Sequence, residues 1–241
     1  MGTAMTPRLR AIVEQVQPVS SAIDVGCDHA QVGIWLARHG VVRHMTVSDV
    51  NEGPLRRAAE AVHAAGLSDQ IRCVRCDGLD GIPPQDAVII AGMGGELIAE
   101  ILRRAPWTKR ARRLVLQPMT AREELRHFLL TNGYCIKKEA LAQEREKLYA
   151  VLCVEGGEPA PFNEADLVLS DLRDPLAAQY LAAQIARLER TVRGMRAAET
   201  PDTGKIERAA ALCAALRARQ ADILRKGDGE TWRRLRKFLN F

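Results

Sequence analysis

The 241-residue chain has no apolar run approaching the roughly 18 to 20 residues that span a bilayer. Its first residues lack an apolar signal core followed by small side chains, so a cytoplasmic protein is the expectation. A disulfide framework is missing too: Cys27, Cys73, Cys76, Cys135, Cys153 and Cys213 are scattered through apolar surroundings, as buried reduced thiols are. Cys73 and Cys76 form a lone C-x-x-C, but side chains three apart in an extended strand point to opposite faces, and no second pair follows at zinc spacing. No metal is therefore expected. Internal repeats and low-complexity tracts are absent as well.

What is present suits a globular protein. At 47% apolar and 27% charged residues, the chain can form one good-sized domain plus an appendage, with a core that needs no staples. The net charge of +5 is small but unevenly placed: from residue 187 onward fourteen Lys and Arg stand against seven acids, leaving that segment at +7 and the remainder at −2. Such asymmetry points to a polyanionic partner.

The spacing of Leu9, Ile12, Val13 and Val16 predicts a helix over 7–17, stopped by Pro18. Short apolar strands are then expected at 22–25, 45–47, 71–74, 87–90 and 114–116, the first, second and fourth followed by helices: one ending at Gly40, one over 54–65, one to about 103. Strands of this kind, apolar throughout and alternating with helices, form a parallel sheet covered on both faces. A helix over 121–131 and two extended segments, 133–141 and 147–154, joined by Gln143-Glu144-Arg145-Glu146, add an antiparallel hairpin at the sheet edge. The breaker cluster Gly156-Gly157-Glu158-Pro159-Ala160-Pro161 sets the expected domain boundary, giving a sheet domain over 1–158 and an α-helical domain over 159–241. Helices over 175–197 and 204–226, with stripes at Leu181, Ile185, Leu188, Val192 and at Ile206, Leu212, Leu216, Ile223, make a coiled-coil-like hairpin there.

A doubly wound sheet binds its ligand outside the carboxyl ends of the strands, where Gly26 permits close backbone approach and Asp24 and Asp28 stand beside it. A pyrophosphate would need two more glycines and would not welcome two carboxylates; the cationic sulfonium and ammonium of S-adenosyl-L-methionine would. Asp49 ends the second strand, where an acid can hold both ribose hydroxyls, with the cap of the next helix as its structural alternative. Asp77, followed by Gly78, is placed to meet an adenine amino group, or else makes an Asp-Gly turn. Ala91-Gly92-Met93-Gly94-Gly95 follows the fourth strand; its glycines either line a slot for a flat ring or let helix and sheet approach.

Together these motifs resemble the TrmK family, the bacterial tRNA (adenine-N1)-methyltransferases that act on adenine 22. The resemblance runs over about 155 residues, through Pro7-Arg8-Leu9, Asp24-Val25-Gly26-Cys27-Asp28-His29-Ala30, Gly53-Pro54, Asp77-Gly78-Leu79, Ile90 to Ile98 and Leu116-Gln117-Pro118. It departs at Cys27 for Ser, Asp49 for Glu, and Met119 where Asn often follows Gln-Pro. The resemblance implies a Rossmann-like class I methyltransferase, mostly parallel with an antiparallel C-terminal hairpin, that takes S-adenosyl-L-methionine and a tRNA. It also implies cofactor contacts at Asp24, Gly26, Cys27, Asp28, Asp49, Val50, Asp77, Gly78, Ala91 and Gly92. Catalytic positions would be Asp28, His29, Gly92, Met93 and Gly94, and substrate contacts Arg8, Gln117 and Pro118. The C-terminal helices would then supply the tRNA contact.

Adenine N1 has an in-plane lone pair and needs no base to deprotonate it, so orientation and electrostatics should carry the rate, with Asp28 stabilising the ring as it becomes cationic. The alternatives are another S-adenosyl-L-methionine-dependent RNA or small-molecule methyltransferase, and a non-catalytic RNA-binding protein on the same fold. The oligomeric state is left open, a monomer being the simpler expectation.

Overall fold

Strands that are apolar on both faces must be covered on both faces, and the helices between them do so. The computed structural model, which describes residues 5–226, forms a seven-stranded sheet ordered β3-β2-β1-β4-β5-β7-β6. The strands are β1 Val19–Val25, β2 Val42–Asp49, β3 Ile71–Arg75, β4 Ala87–Gly94, β5 Arg113–Thr120, β6 Tyr134–Glu144 and β7 Lys147–Gly156. The first five are parallel, and β7 runs antiparallel to both β5 and β6. Strand order reverses between β1 and β4, so a ligand crevice opens there.

Helices α1 Pro7–Val13, α2 Gln31–Arg38 and α3 Glu52–Ala64 lie over one face, where Ile12, Leu36, Val47 and Val62 pack. On the other face α4 Gly95–Arg104 and α5 Arg122–Thr131 bury Ile98, Leu102 and Leu125 against Ile23, Val88 and Ile90. Central β4 explains its unbroken apolar run: Ala87 through Ile90 are all inaccessible to solvent. A fully buried ion pair, Arg126 Nη2 donating to Glu139 Oε2 at 2.7 Å, ties α5 to β6.

Several boundaries differ from those expected. Helix α1 stops at Val13 because Gln15 and Val16 donate to the carbonyls three residues back, tightening the chain into a turn before Pro18. The β6–β7 connection is only Arg145-Glu146, since Gln143 and Glu144 still pair with Leu148 and Lys147. Arg145 takes the left-handed φ of 54° that a two-residue hairpin turn demands. Strands β4 and β5 run on through Gly94 and Thr120, beyond their apolar segments, because the backbone keeps pairing through bulges.

The chain divides into two compact units after Pro161. In the second, a capping box between Asn163 and Asp166 starts a short unanticipated helix, α6 Glu164–Val168. Helices α7 Ala177–Arg196 and α8 Thr203–Lys226 pack as a hairpin around Leu181, Ile185, Val192, Cys213 and Leu216, with Gln220 Nε2 bonded to the Ala178 carbonyl at 3.0 Å. Among the described residues no helix is long and apolar enough to cross a membrane.

Candidate active site

At the switch point, Asp24 stands one residue before the end of β1, buried, and that burial pushes its carboxyl up from 3.8 to about 7. Gly26 follows at φ 74°, a conformation that favours glycine, and the tip of Met93 from the end of β4 packs against it, so that a Cβ there would lie 2.2 Å from Met93 Cε. The amides of Gly26 and Cys27 both donate to the Ser48 carbonyl, at 2.8 and 3.1 Å, fastening this turn to β2. Cys27 is buried, and burial together with the charges of Asp24 and Asp49 pushes its thiol up, so it packs rather than reacts.

The chain then makes a 3-10 turn, Asp28–Ala30, in which His29 and Ala30 have φ of 60° and 49°. Two successive left-handed residues without glycine store strain that the surroundings must hold. Asp28 Oδ1 accepts from Arg57 Nε at 3.1 Å and Nη2 at 2.8 Å, while His29 Nε2 lies 3.7 Å from the same oxygen.

At the end of β2, Asp49 Oδ1 accepts from the Asn51 amide at 2.8 Å, and the Cys76 amide donates to the Asp49 carbonyl at 3.2 Å. Asp49 thus sets the turn into α3 with one oxygen only. Val50 beside it is 52% exposed, an apolar side chain left facing solvent. Asp77 is less free than its sequence position suggested. Arg104 grips both its oxygens, at 3.0 and 3.1 Å, and also reaches Asp80 at 3.1 Å; these bonds hold the Asp77 carboxyl below the usual carboxylate range.

The third corner joins α1, β4 and β5. Thr6 caps α1 and Pro7 opens it, which places Arg8 in the first turn. Arg8 Nη1 donates to Gln117 Oε1 at 3.0 Å, and the same oxygen accepts from the Gly92 amide at 3.2 Å. Gln117 is fully buried, and its Nε2 donates to the Pro118 carbonyl at 3.1 Å. So Arg8, Gln117, Pro118 and Gly92 form one hydrogen-bonded chain. Arg8 also lies 3.9 Å from Glu144 and over the Tyr149 ring, beside a cleft of about 830 Å³ at the hairpin tip. The glycine segment divides its labour. Gly92 needs its φ of 78°, whereas a Cβ on Gly95 would fall 2.1 Å from the Ala121 carbonyl, so that glycine serves the approach of α4 to the next turn.

The structure therefore brings Gly26 against Met93, with Asp24, Cys27 and Asp28 beside Gly26 in the same chain segment, and joins Arg8, Gly92, Gln117 and Pro118 by hydrogen bonds, with Asp49 and Asp77 at the ends of neighbouring strands. Reasoning from sequence missed Arg57 and Arg104, which stand in no motif. Exposed Met119, 37% accessible, and Leu97, 48%, add apolar surface near the ends of β5 and β4. Among the described residues no group of three or more His, Cys, Asp or Glu is placed to hold a metal.

The sheet order, the glycine turn after β1 and the acids at successive strand ends define a Rossmann-like methyltransferase. Residues 5–152 match a family model described as a methyltransferase domain. A tRNA (adenine(22)-N(1))-methyltransferase of Bacillus subtilis is 31% identical over 157 residues, which span 64% of this chain and 66% of that protein. A putative tRNA methyltransferase of Mycoplasma pneumoniae is 34% identical over 160 residues, 63% of this chain and 71% of it. The crystal structure of a putative tRNA (m1A22) methyltransferase from Streptococcus pneumoniae superposes with a TM-score of 0.80 at 27% identity, covering 90% of this chain and 99% of that one. The same protein has been solved in complex with S-adenosyl-L-methionine. The chain belongs to the methyltransferase domain family and, within it, to the TrmK family.

Proposed function

We propose that this protein transfers a methyl group from S-adenosyl-L-methionine to N1 of an adenine in tRNA, at position 22. The observation that carries the reading is the Gly26–Met93 contact, which sets the Asp28–Ala30 turn beside the Gly92 to Gly94 strand end at the switch point of the sheet. The residues fit the cofactor. Asp24 is a buried carboxylate that a nearby cation would ionise, Gly26 at φ 74° gives the tight turn that a close backbone approach needs, and Asp49 keeps one oxygen for a ribose. Val50 offers an apolar surface for the adenine ring. Asp77 and Gly78 contribute as an Arg104-braced turn rather than through a loose carboxylate.

When bound, the cofactor supplies an electrophilic methyl group. The adenine N1 lone pair lies in the ring plane and needs no base to free it, so this chain's residues would need only to orient the base and favour its growing positive charge. Asp28 has one oxygen committed to Arg57, and its other oxygen serves the adenine amino group. His29 stands beside it as a positioning group. Gly92, Met93 and Gly94 would shape the slot, Gly92 being fastened through Gln117 to Arg8, and the target adenine would leave its stack to enter.

The helical C-terminal segment supplies phosphate contacts. Arg190, Arg193 and Arg196 on α7 are exposed. The further basic residues Arg233, Arg234, Arg236 and Lys237 lie outside the described residues. A bacterial tRNA methyltransferase works in the cytoplasm, which fits this assignment. The test compares methyl transfer to a tRNA carrying A22 with transfer to the same tRNA carrying G22: transfer is expected to the first alone, and equal transfer to both would overturn the position.

A further inference from the structure

We propose that Arg57 of α3 is a positioning residue for methyl transfer, holding the Asp28 carboxylate so that one of its oxygens faces the target base. The inference rests on the reading above that Asp28 contacts that base. Its own support is geometric. An arginine fork usually spans both carboxylate oxygens, as Arg104 does on Asp77. Arg57 instead directs Nε and Nη2 to the same atom, Asp28 Oδ1, at 3.1 and 2.8 Å, and Oδ2 is left for another donor.

A role in fold stability alone does not account for the pair. Its side chains are 44% and 58% exposed, and ion pairs so well solvated contribute little to stability. The turn that bears Asp28 is strained at His29 and Ala30 and anchored from behind, by Ala30 N bonded to the Cys27 carbonyl at 2.6 Å and by the Ser48 carbonyl beneath Gly26 and Cys27. Those bonds fix the backbone but leave the Asp28 side chain free to turn about its own torsions. Arg57, reaching across from the neighbouring helix, removes that freedom. Its charge opposes the cationic ring that develops, so the benefit of orientation must exceed that repulsion. This makes a loss of turnover, rather than of binding, the signature of its removal.

The experiment measures kcat, KM for tRNA, cofactor affinity and thermal stability for Arg57→Gln, Arg57→Lys, Asp28→Asn and the Asp28→Asn/Arg57→Gln pair. Arg57→Gln should lower kcat about tenfold with KM, cofactor affinity and melting temperature nearly unchanged, and Arg57→Lys should recover part of that loss. In the double variant the second change should add nothing to Asp28→Asn, because the two groups act as a unit. Impaired Asp28→Asn with normal Arg57→Gln would overturn the role of Arg57 and leave that of Asp28 standing. Normal turnover in both would remove Asp28 from the chemistry, and Arg57 with it. A rise in KM alone would make Arg57 a phosphate contact and overturn the proposal.

Discussion

Asp24 offers a quantitative handle on cofactor binding, because burial lifts its carboxyl from 3.8 to about 7. In the folded protein without cofactor the group holds its proton more tightly than in the unfolded chain. The stability linked to that proton is fully present below 3.8 and is lost as pH rises through about 7. At about 1.4 kcal/mol per pH unit, the buried charge costs on the order of 4 kcal/mol at about pH 8. A cationic ligand beside Asp24 reverses the preference, since it favours the ionised form. Well below about pH 7, binding must then expel a proton, and affinity should rise close to tenfold per pH unit, about fifteenfold between about pH 5.5 and 7 and about thirtyfold in all by the alkaline plateau. Calorimetric titration of S-adenosyl-L-methionine in buffers of different ionisation enthalpy would count that proton, about one per site at about pH 5.5 and about none at about pH 8. Asp24→Asn should abolish the slope, weaken binding at alkaline pH, and make the cofactor-free protein more stable there than the wild type. A flat wild-type profile, or the same slope in Asp24→Asn, would refute the reasoning.

Gly26→Ala meets both a left-handed φ and a clash with Met93, so cofactor affinity should fall more than tenfold with about 1–2 kcal/mol of stability. Adding Met93→Ala should relieve the clash but not the backbone strain, restoring part of the affinity by titration. Arg126→Leu takes the arginine from the buried Glu139 and should cost about 3–5 kcal/mol in denaturant unfolding, whereas Arg126→Leu/Glu139→Leu should recover most of it. Replacing Arg190, Arg193 and Arg196 by Gln should weaken tRNA binding and lower the magnitude of its log–log salt slope by about 2–3, leaving cofactor affinity intact; an unchanged slope would take α7 off the RNA.

The parallel sheet was legible because Ala87-Val88-Ile89-Ile90 and Leu114-Val115-Leu116 are short, wholly apolar and alternate with helical patterns, as strands buried on both faces do, and they lie at the sheet's centre. Where those strands end was not legible. Gly92 to Gly94 and Gln117 to Thr120 continue as bulged strands because the backbone pairs irrespective of side-chain polarity. The same limit hid the partners of the acids. Asp28 and Asp77 stand out in sequence, but Arg57 and Arg104 lie 29 and 27 residues further on, in helices whose exposed faces carry charge in any case. Their pairing depends on how the strand-end turns bend, and the His29–Ala30 conformation gives no signal in a string of ordinary residues. Arg126–Glu139 escaped notice for a like reason: an arginine and a glutamate are expected at the surface, and only the packing of α5 on β6 takes both from water.

The central claim is tested most directly by incubating the protein with S-adenosyl-L-methionine bearing a labelled methyl group and with bacterial tRNA, then locating the label by nuclease mapping and mass spectrometry. The account predicts 1-methyladenosine at position 22. Label on another atom, on another nucleotide, or on none would contradict it.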